Sequence, residues 1–160
     1  MVATTDGDTI TVRNDDFQRV KVRLAEIDAP QRRQAFGTRS RQSLGELCHE
    51  KRTEVRVIDV ERYGRVIGRV SCVGVDANAA RMRRGMAWVY NRYATDKTFY
   101  RLRVAARSAG RELWADQHPV VPRDWRKRSC PPETPGETAV MRACYAREIN
   151  HSGATPPRNP

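Results

Sequence analysis

Val20-Lys21-Val22-Arg23-Leu24-Ala25-Glu26-Ile27 runs directly into Asp28-Ala29-Pro30-Gln31. The first eight residues alternate and are rich in valine, the pattern of a half-buried strand. The Ala-Pro step ends that strand, because proline has no N–H to donate and pushes the residue before it into extended backbone. On a continuous strand Arg23, Ala25 and Ile27 share one face, and Asp28 leaves the strand end beside the proline.

Upstream, Thr9-Ile10-Thr11-Val12-Arg13 also alternates and follows Asp6-Gly7-Asp8, a tight-turn signal. Asn14-Asp15-Asp16 turns the chain between these two strands. Val2 to Thr5 reads as the stub of a further strand at the start. Downstream, Thr53 to Val60 is a strand with Val55, Val57 and Asp59 on one face, and Val66 to Val73 follows it across a turn at Arg62-Tyr63-Gly64. Met86 to Tyr90 is a short fifth strand. Helical spacing places Phe36, Ser40, Ser43, Leu44 and Leu47 on one face over Phe36 to Cys48. A short helix over Asn78 to Arg84 closes at Gly85. A third, Lys97 to Ala109, puts Phe99, Leu102, Ala105 and Ala106 on one face and ends at Gly110. Short strands with interspersed helices make an α+β pattern, a small barrel with packed helices.

The chain has 160 residues, enough for one domain and a short tail. Residues 127–160 hold six of the nine prolines and read as a loop-like tail with one short helix over Thr138 to Ile149. The expected division is a folded domain over 1–126 and a Pro-rich tail over 127–160. Net charge is +11, and only four of the 30 basic residues are lysine. Arginine's planar fork matches phosphate oxygens, although a GC-rich coding bias raises arginine too. The tail carries +2, which leaves +9 on the folded part and favours an anionic partner. There is no run of about 18 apolar residues for a membrane span, and residues 1–8 carry no leader signal. Cys48 and Cys72 lie in apolar-periodic segments and read as buried thiols. Cys130 and Cys144 lie in the tail, where a disulfide between them would suit an exported protein. His49, His118 and His151 form no cluster.

Three segments carry the chemistry. Asp8, from the Asp6-Gly7-Asp8-Thr9 turn, and Asp28 offer hard oxygen ligands for a divalent cation. Arg23, and Arg65 in the polar turn Glu61-Arg62-Tyr63-Gly64-Arg65, can grip a phosphate between them. Each segment alone is an ordinary turn or strand. Together they supply what phosphodiester cleavage needs: a metal to polarise the ester, and cations facing the charge that grows in the transition state.

In this order and spacing the three segments resemble the staphylococcal nuclease family. The likeness continues through Gln34-Ala35-Phe36-Gly37, Val75-Asp76-Ala77-Asn78 and Arg84-Gly85-Met86-Ala87-Trp88-Val89-Tyr90. It then runs through Gly110-Arg111-Glu112-Leu113-Trp114-Ala115 to Pro122-Arg123-Asp124-Trp125-Arg126. It therefore spans roughly residues 2–126. The resemblance implies a five-stranded OB-fold β-barrel with three helices, and hydrolysis of DNA and/or RNA with Ca²⁺ or another divalent cation. It implies Asp8 and Asp28 as metal ligands with the backbone carbonyl of Ala29, Arg23 and Arg65 as the phosphate clamp, and Tyr90 and Tyr93 as stacking residues, with a core role for Tyr90 equally open.

One departure bears on rate. The family has glutamate after the proline, where it serves as general base; this chain has Gln31, whose neutral amide accepts a hydrogen bond but no proton. Glu26 is expected to point away and cannot substitute. Weakened cleavage is the expectation, by a monomer without a membrane partner. The alternative is a catalytically silent OB-fold module that binds nucleic acid through basic and aromatic surface. A secreted or periplasmic location is expected if a leader has been removed, and a cytoplasmic one if the chain is complete.

Overall fold

The computed structural model describes residues 1 and 3–129. Cys130, Cys144 and the helix expected over 138–149 lie outside the described residues. Strand β1 (Ala3–Thr4) pairs antiparallel with β2 (Thr9–Arg13), and β2 with β3 (Arg19–Leu24). The β2–β3 hairpin is closed by Asn14, whose side chain accepts the Gln18 N–H at 2.8 Å. After β4 (Ile27–Asp28) comes helix α1 (Gly37–Cys48), then the hairpin of β5 (Thr53–Val60) and β6 (Val66–Cys72). β3 runs parallel to β6, with Arg23 opposite Ile67. The remaining elements are β7 (Val75–Asp76), α2 (Ala77–Arg83), β8 (Trp88–Val89), α3 (Lys97–Ser108), a 3₁₀ turn (Glu112–Ala115) and α4 (Pro122–Ser129). The sheet order is β1-β2-β3-β6-β5, with β7 added to β6; β4 and β8 form a separate pair.

The architecture is α+β, as expected, but these ladders are open and do not close into a continuous barrel. One cause is visible at Glu26. Its φ is 64°, in the left-handed region, so the strand expected over Val20–Ile27 becomes two, and the single face expected for Arg23, Ala25 and Ile27 is broken. The break is held from all sides. Ala25 donates its N–H to Gly68 O and accepts from Asn78 Nδ2, and the Glu26 carbonyl accepts the Tyr90 N–H. The Glu26 carboxylate accepts the Thr95 N–H and hydroxyl, both at 2.7 Å, and the Asp96 N–H at 3.1 Å, and pairs with Arg69 at 2.6 Å. It thus points into an ion cluster away from the Asp8–Asp28 region. The cost of a non-glycine left-handed residue is met by these tertiary bonds.

The three expected helices are present. Asp76 and Asp96 cap α2 and α3, each side chain accepting a first-turn N–H. Gly85, at φ 70°, follows the last residues of α2 in the left-handed conformation that favours glycine, and a Cβ there would overlap the Arg111 carbonyl. On α3 Phe99 and Ala106 are buried, but Ala105 faces solvent. The fourth helix was not expected. Pro122 is the first residue of α4, where its missing N–H costs nothing. This helix crosses the boundary expected between 126 and 127. The inward face expected for β5 is also incomplete. Val57, Ile58, Asp59 and Val60 are all exposed, since β5 is an edge strand with a bulge between Val57 and Asp59.

Ile10, Val22, Leu24, Ile27, Leu44, Val70 and Phe99 form the core between sheet and helices, each 0–1% exposed. Cys48 and Cys72 are buried, but not as thiols. They form a disulfide from the end of α1 to the end of β6, with Cα atoms 5.3 Å apart. Periodicity places each cysteine inward, while only the packing of α1 on β6 brings the two together.

Candidate active site

Asp8 enters the site from the turn between β1 and β2. Asp6 shapes that turn by accepting the Asp8 N–H at 3.2 Å. Gly7 is required because any Cβ would overlap the Ser40 hydroxyl and the Ala29 side chain. Beneath the turn lies Arg81 of α2, fully buried. Its Nε donates to Gly7 O at 3.1 Å, and Nη2 donates to the carbonyl and hydroxyl of Ser40 and to Met86 O. Burial lowers the Arg81 pKa to about 10, so it stays protonated at neutral pH.

Asp28 arrives on β4, and Arg23 near the end of β3. The Arg23 Nη2 lies 3.6 Å from Asp8 Oδ2 and 3.4 Å from Asp28 Oδ1. One guanidinium therefore bridges two carboxylates that are 20 residues apart in sequence, all three groups being buried. The Ala29 N–H donates to Asp8 Oδ2 at 2.9 Å, which fixes the two segments together. Arg126 of α4 reaches Asp28 from 98 residues along the chain, with Nη2 3.2 Å from Asp28 Oδ2 and Nη1 3.4 Å from Oδ1.

The electrostatics are uneven. Burial works against the charge on Asp8, but Arg23 and the Ala29 N–H overrule it and hold its carboxyl below the usual carboxylate range. Burial, and then the charge on Asp8, push Asp28 up despite both arginines. The same two causes push Asp6 up to about 7. Three carboxyl groups thus meet two guanidiniums, and two of the three are driven toward the protonated form. Hard oxygen donors short of positive charge fit a divalent cation such as Ca²⁺. Among the described residues no group of three or more His, Cys, Asp or Glu side chains forms a full cage. Such an ion would draw on the Asp8 and Asp28 carboxylates, with backbone and water oxygens completing its shell.

The other expected residues surround this centre. Gln31 is half-buried and sits in a tight turn, its N–H donating to Gln34 Oε1 at 3.0 Å and its carbonyl accepting the Gln34 N–H at 2.8 Å. Arg65 closes a two-point ion pair with Glu61, at 2.8 and 2.7 Å. It stands in the β5–β6 turn just before β6, two residues ahead of Ile67, the register partner of Arg23. The Arg23 guanidinium lies 5.5 Å from the centre of the Tyr90 ring. Tyr93 is 44% exposed and meets Tyr90 edge to face at 5.1 Å. A cleft of about 380 Å³ opens beside Asp28 and Tyr90, bordered by Arg92, Arg123 and Arg126.

Arg81 and Arg126 are the residues that sequence reasoning missed as parts of the site. The Trp125-Arg126 pair lies in a segment that already marked the resemblance, but nothing in its pattern indicates a carboxylate 98 residues away. For Arg81 the one signal is a charged residue on the inward side of a short helix.

Known proteins show which family the chain resembles. The family model described as "Staphylococcal nuclease homologue" matches residues 21–116. An "Uncharacterized endonuclease" of Haemophilus influenzae is 36% identical over 128 residues, covering 80% of this chain and 72% of the relative. "Protein ParB" of Escherichia coli is 42% identical over 136 residues, covering 78% and 76%. A "Micrococcal nuclease" of Shigella flexneri is 38% identical over 135 residues, covering 78% and 77%. On these matches the chain belongs to the staphylococcal nuclease family and is a phosphodiester hydrolase acting on nucleic acids.

Proposed function

We propose that the protein is a divalent-cation-dependent nuclease that cleaves DNA and/or RNA at the centre built from Asp8, Asp28 and Arg23. The observation that carries this reading is the convergence of two buried carboxylates on one buried guanidinium from the β1–β2 turn, β3 and β4. Bound between Asp8 and Asp28, with the Ala29 carbonyl nearby, Ca²⁺ would supply Lewis-acid polarisation of the phosphodiester. Arg23 orients a non-bridging phosphate oxygen and faces the charge that grows on it, and Arg65 joins it from the β5–β6 turn. Gln31 orients the attacking water by hydrogen bonding without taking its proton, so turnover is slow. Tyr90 and Tyr93 offer aromatic faces to the flanking bases.

No helix among the described residues is long and apolar enough to cross a membrane. The buried Cys48–Cys72 disulfide supports an oxidising compartment, secreted or periplasmic.

The test is cleavage of single-stranded DNA and RNA with Ca²⁺, with Mg²⁺ and with a chelator. We expect metal-dependent cleavage that falls roughly a hundredfold or more in Asp28→Asn and in Arg65→Ala. Cleavage that persists unchanged in chelator would overturn the cation assignment. Wild-type rates in Arg65→Ala would remove Arg65 from the clamp.

A further inference from the structure

Arg126 is held by a contact that a bound cation would disturb. Its guanidinium lies side-on against Asp28, at 3.2 and 3.4 Å, and the pair is almost dry: the side chains are 12% and 3% exposed. Asp28 already receives Arg23 at 3.4 Å, so one carboxylate serves two guanidiniums. A divalent cation held by Asp28 would compete for this carboxylate and repel the neighbouring guanidinium. A largely buried arginine that loses its carboxylate needs another anion close by. Arg126 borders the cleft beside Tyr90, whose rim also carries Arg92 and Arg123. The anion that suits a planar fork at the mouth of a phosphodiesterase site is a backbone phosphate.

We propose that Arg126, carried by α4, is a third phosphate-binding arginine of this nuclease: it pairs with Asp28 while the site holds no cation and turns to a backbone phosphate of the polynucleotide once Asp28 binds one. The inference rests on the reading of Asp8 and Asp28 as cation ligands. In this arrangement α4 completes the site, and cation and Arg126 compete for one carboxylate while cation and substrate favour each other. That coupling is reciprocal.

The experiment compares wild type, Arg126→Ala and Asp28→Asn. Calorimetric titration with Ca²⁺, without nucleic acid, should show Arg126→Ala binding roughly tenfold tighter, because its competitor is gone. On single-stranded DNA with saturating Ca²⁺ the same variant should lose activity, the loss falling on KM more than on kcat. Its log–log salt slope for binding should be shallower by about 0.7, the share of one phosphate contact on a single strand. An unchanged Ca²⁺ affinity together with an unchanged salt slope makes Arg126 a pin that only holds α4 in place, and overturns the proposal. If Arg126→Ala does not fold, Arg126→Gln carries the same measurements with the side-chain length kept. Asp28→Asn separates the two layers. If it binds Ca²⁺ as wild type does, the cation reading fails and this inference with it. If it loses Ca²⁺ while the Arg126 variant matches wild type, the inference alone fails.

Discussion

Gln31 is one atom type away from an acid. Its backbone is fixed on both sides by Gln34, and Gln34 is anchored in turn by donating from Nε2 to the Val120 carbonyl at 2.5 Å. A glutamate side chain would therefore leave from the same place with the same length, adding only a proton acceptor. General-base catalysis contributes about 10²–10⁴-fold. Gln31→Glu should thus raise kcat on single-stranded DNA with Ca²⁺ by roughly a hundredfold, measured at fixed pH near neutrality. An unchanged kcat would mean that the proton leaves by another route. The substitution was legible in the sequence because the turn Asp28-Ala29-Pro30 fixes the position it occupies. Arg126 was not, since its meaning depends on a partner 98 residues away.

At the scale of elements, two staples hold the strands and helices around the site. One is the Cys48–Cys72 bridge between α1 and β6, which closes a loop with a sequence separation of 24. Constraining the unfolded chain over that length is worth about 3 kcal/mol. Denaturant unfolding of Cys48→Ala/Cys72→Ala, or of the reduced protein, should show a stability loss of about that size. The other is Arg69 of β6, which pairs with Glu26 at 2.6 Å and with Asp96, the α3 cap, at 2.7 Å, and lies 4.3 Å from the Phe99 ring centre. Hydrogen bonds from Arg69 and Thr98 hold Asp96 down at about 2. Burial would push Glu26 up, but the Thr95 and Asp96 donors and Arg69 bring it below the usual range. Groups with depressed folded pKa values stabilise the protein above their unfolded pKa near 4, and that contribution is lost as pH falls toward about 2. Arg69→Met should cost roughly 3 kcal/mol at pH 7, because it leaves the Glu26 charge without its cation. The gap from wild type should narrow steadily below about pH 4, as Glu26 takes up a proton, when stability is followed by denaturant titration at a series of pH values. A constant gap would show that Arg69 acts by packing on Phe99 rather than by charge.

Across the whole molecule, a charge of +11 built almost wholly from arginine accompanies a buried centre where Asp8 and Asp28 meet Arg23 and Arg126. Such a charge draws a polyanion in. Binding to a single-stranded oligonucleotide should weaken with salt along a log–log slope of at least about −2, given the three arginines proposed to touch phosphate. A flat response would put the charge elsewhere in the protein's work. The sequence by itself determined the α+β class, the three first helices and most strand positions, because alternation, helical spacing and turn residues are local signals carried by neighbours in the chain. Only the tertiary structure decided that Glu26 breaks a strand, that β4 leaves the main sheet for β8, that Cys48 meets Cys72, and that Arg81 and Arg126 close on the carboxylate centre from α2 and α4. Each of these depends on where distant segments pack. A left-handed residue, a disulfide or a buried ion pair is stable only when partners far along the chain arrive to satisfy it.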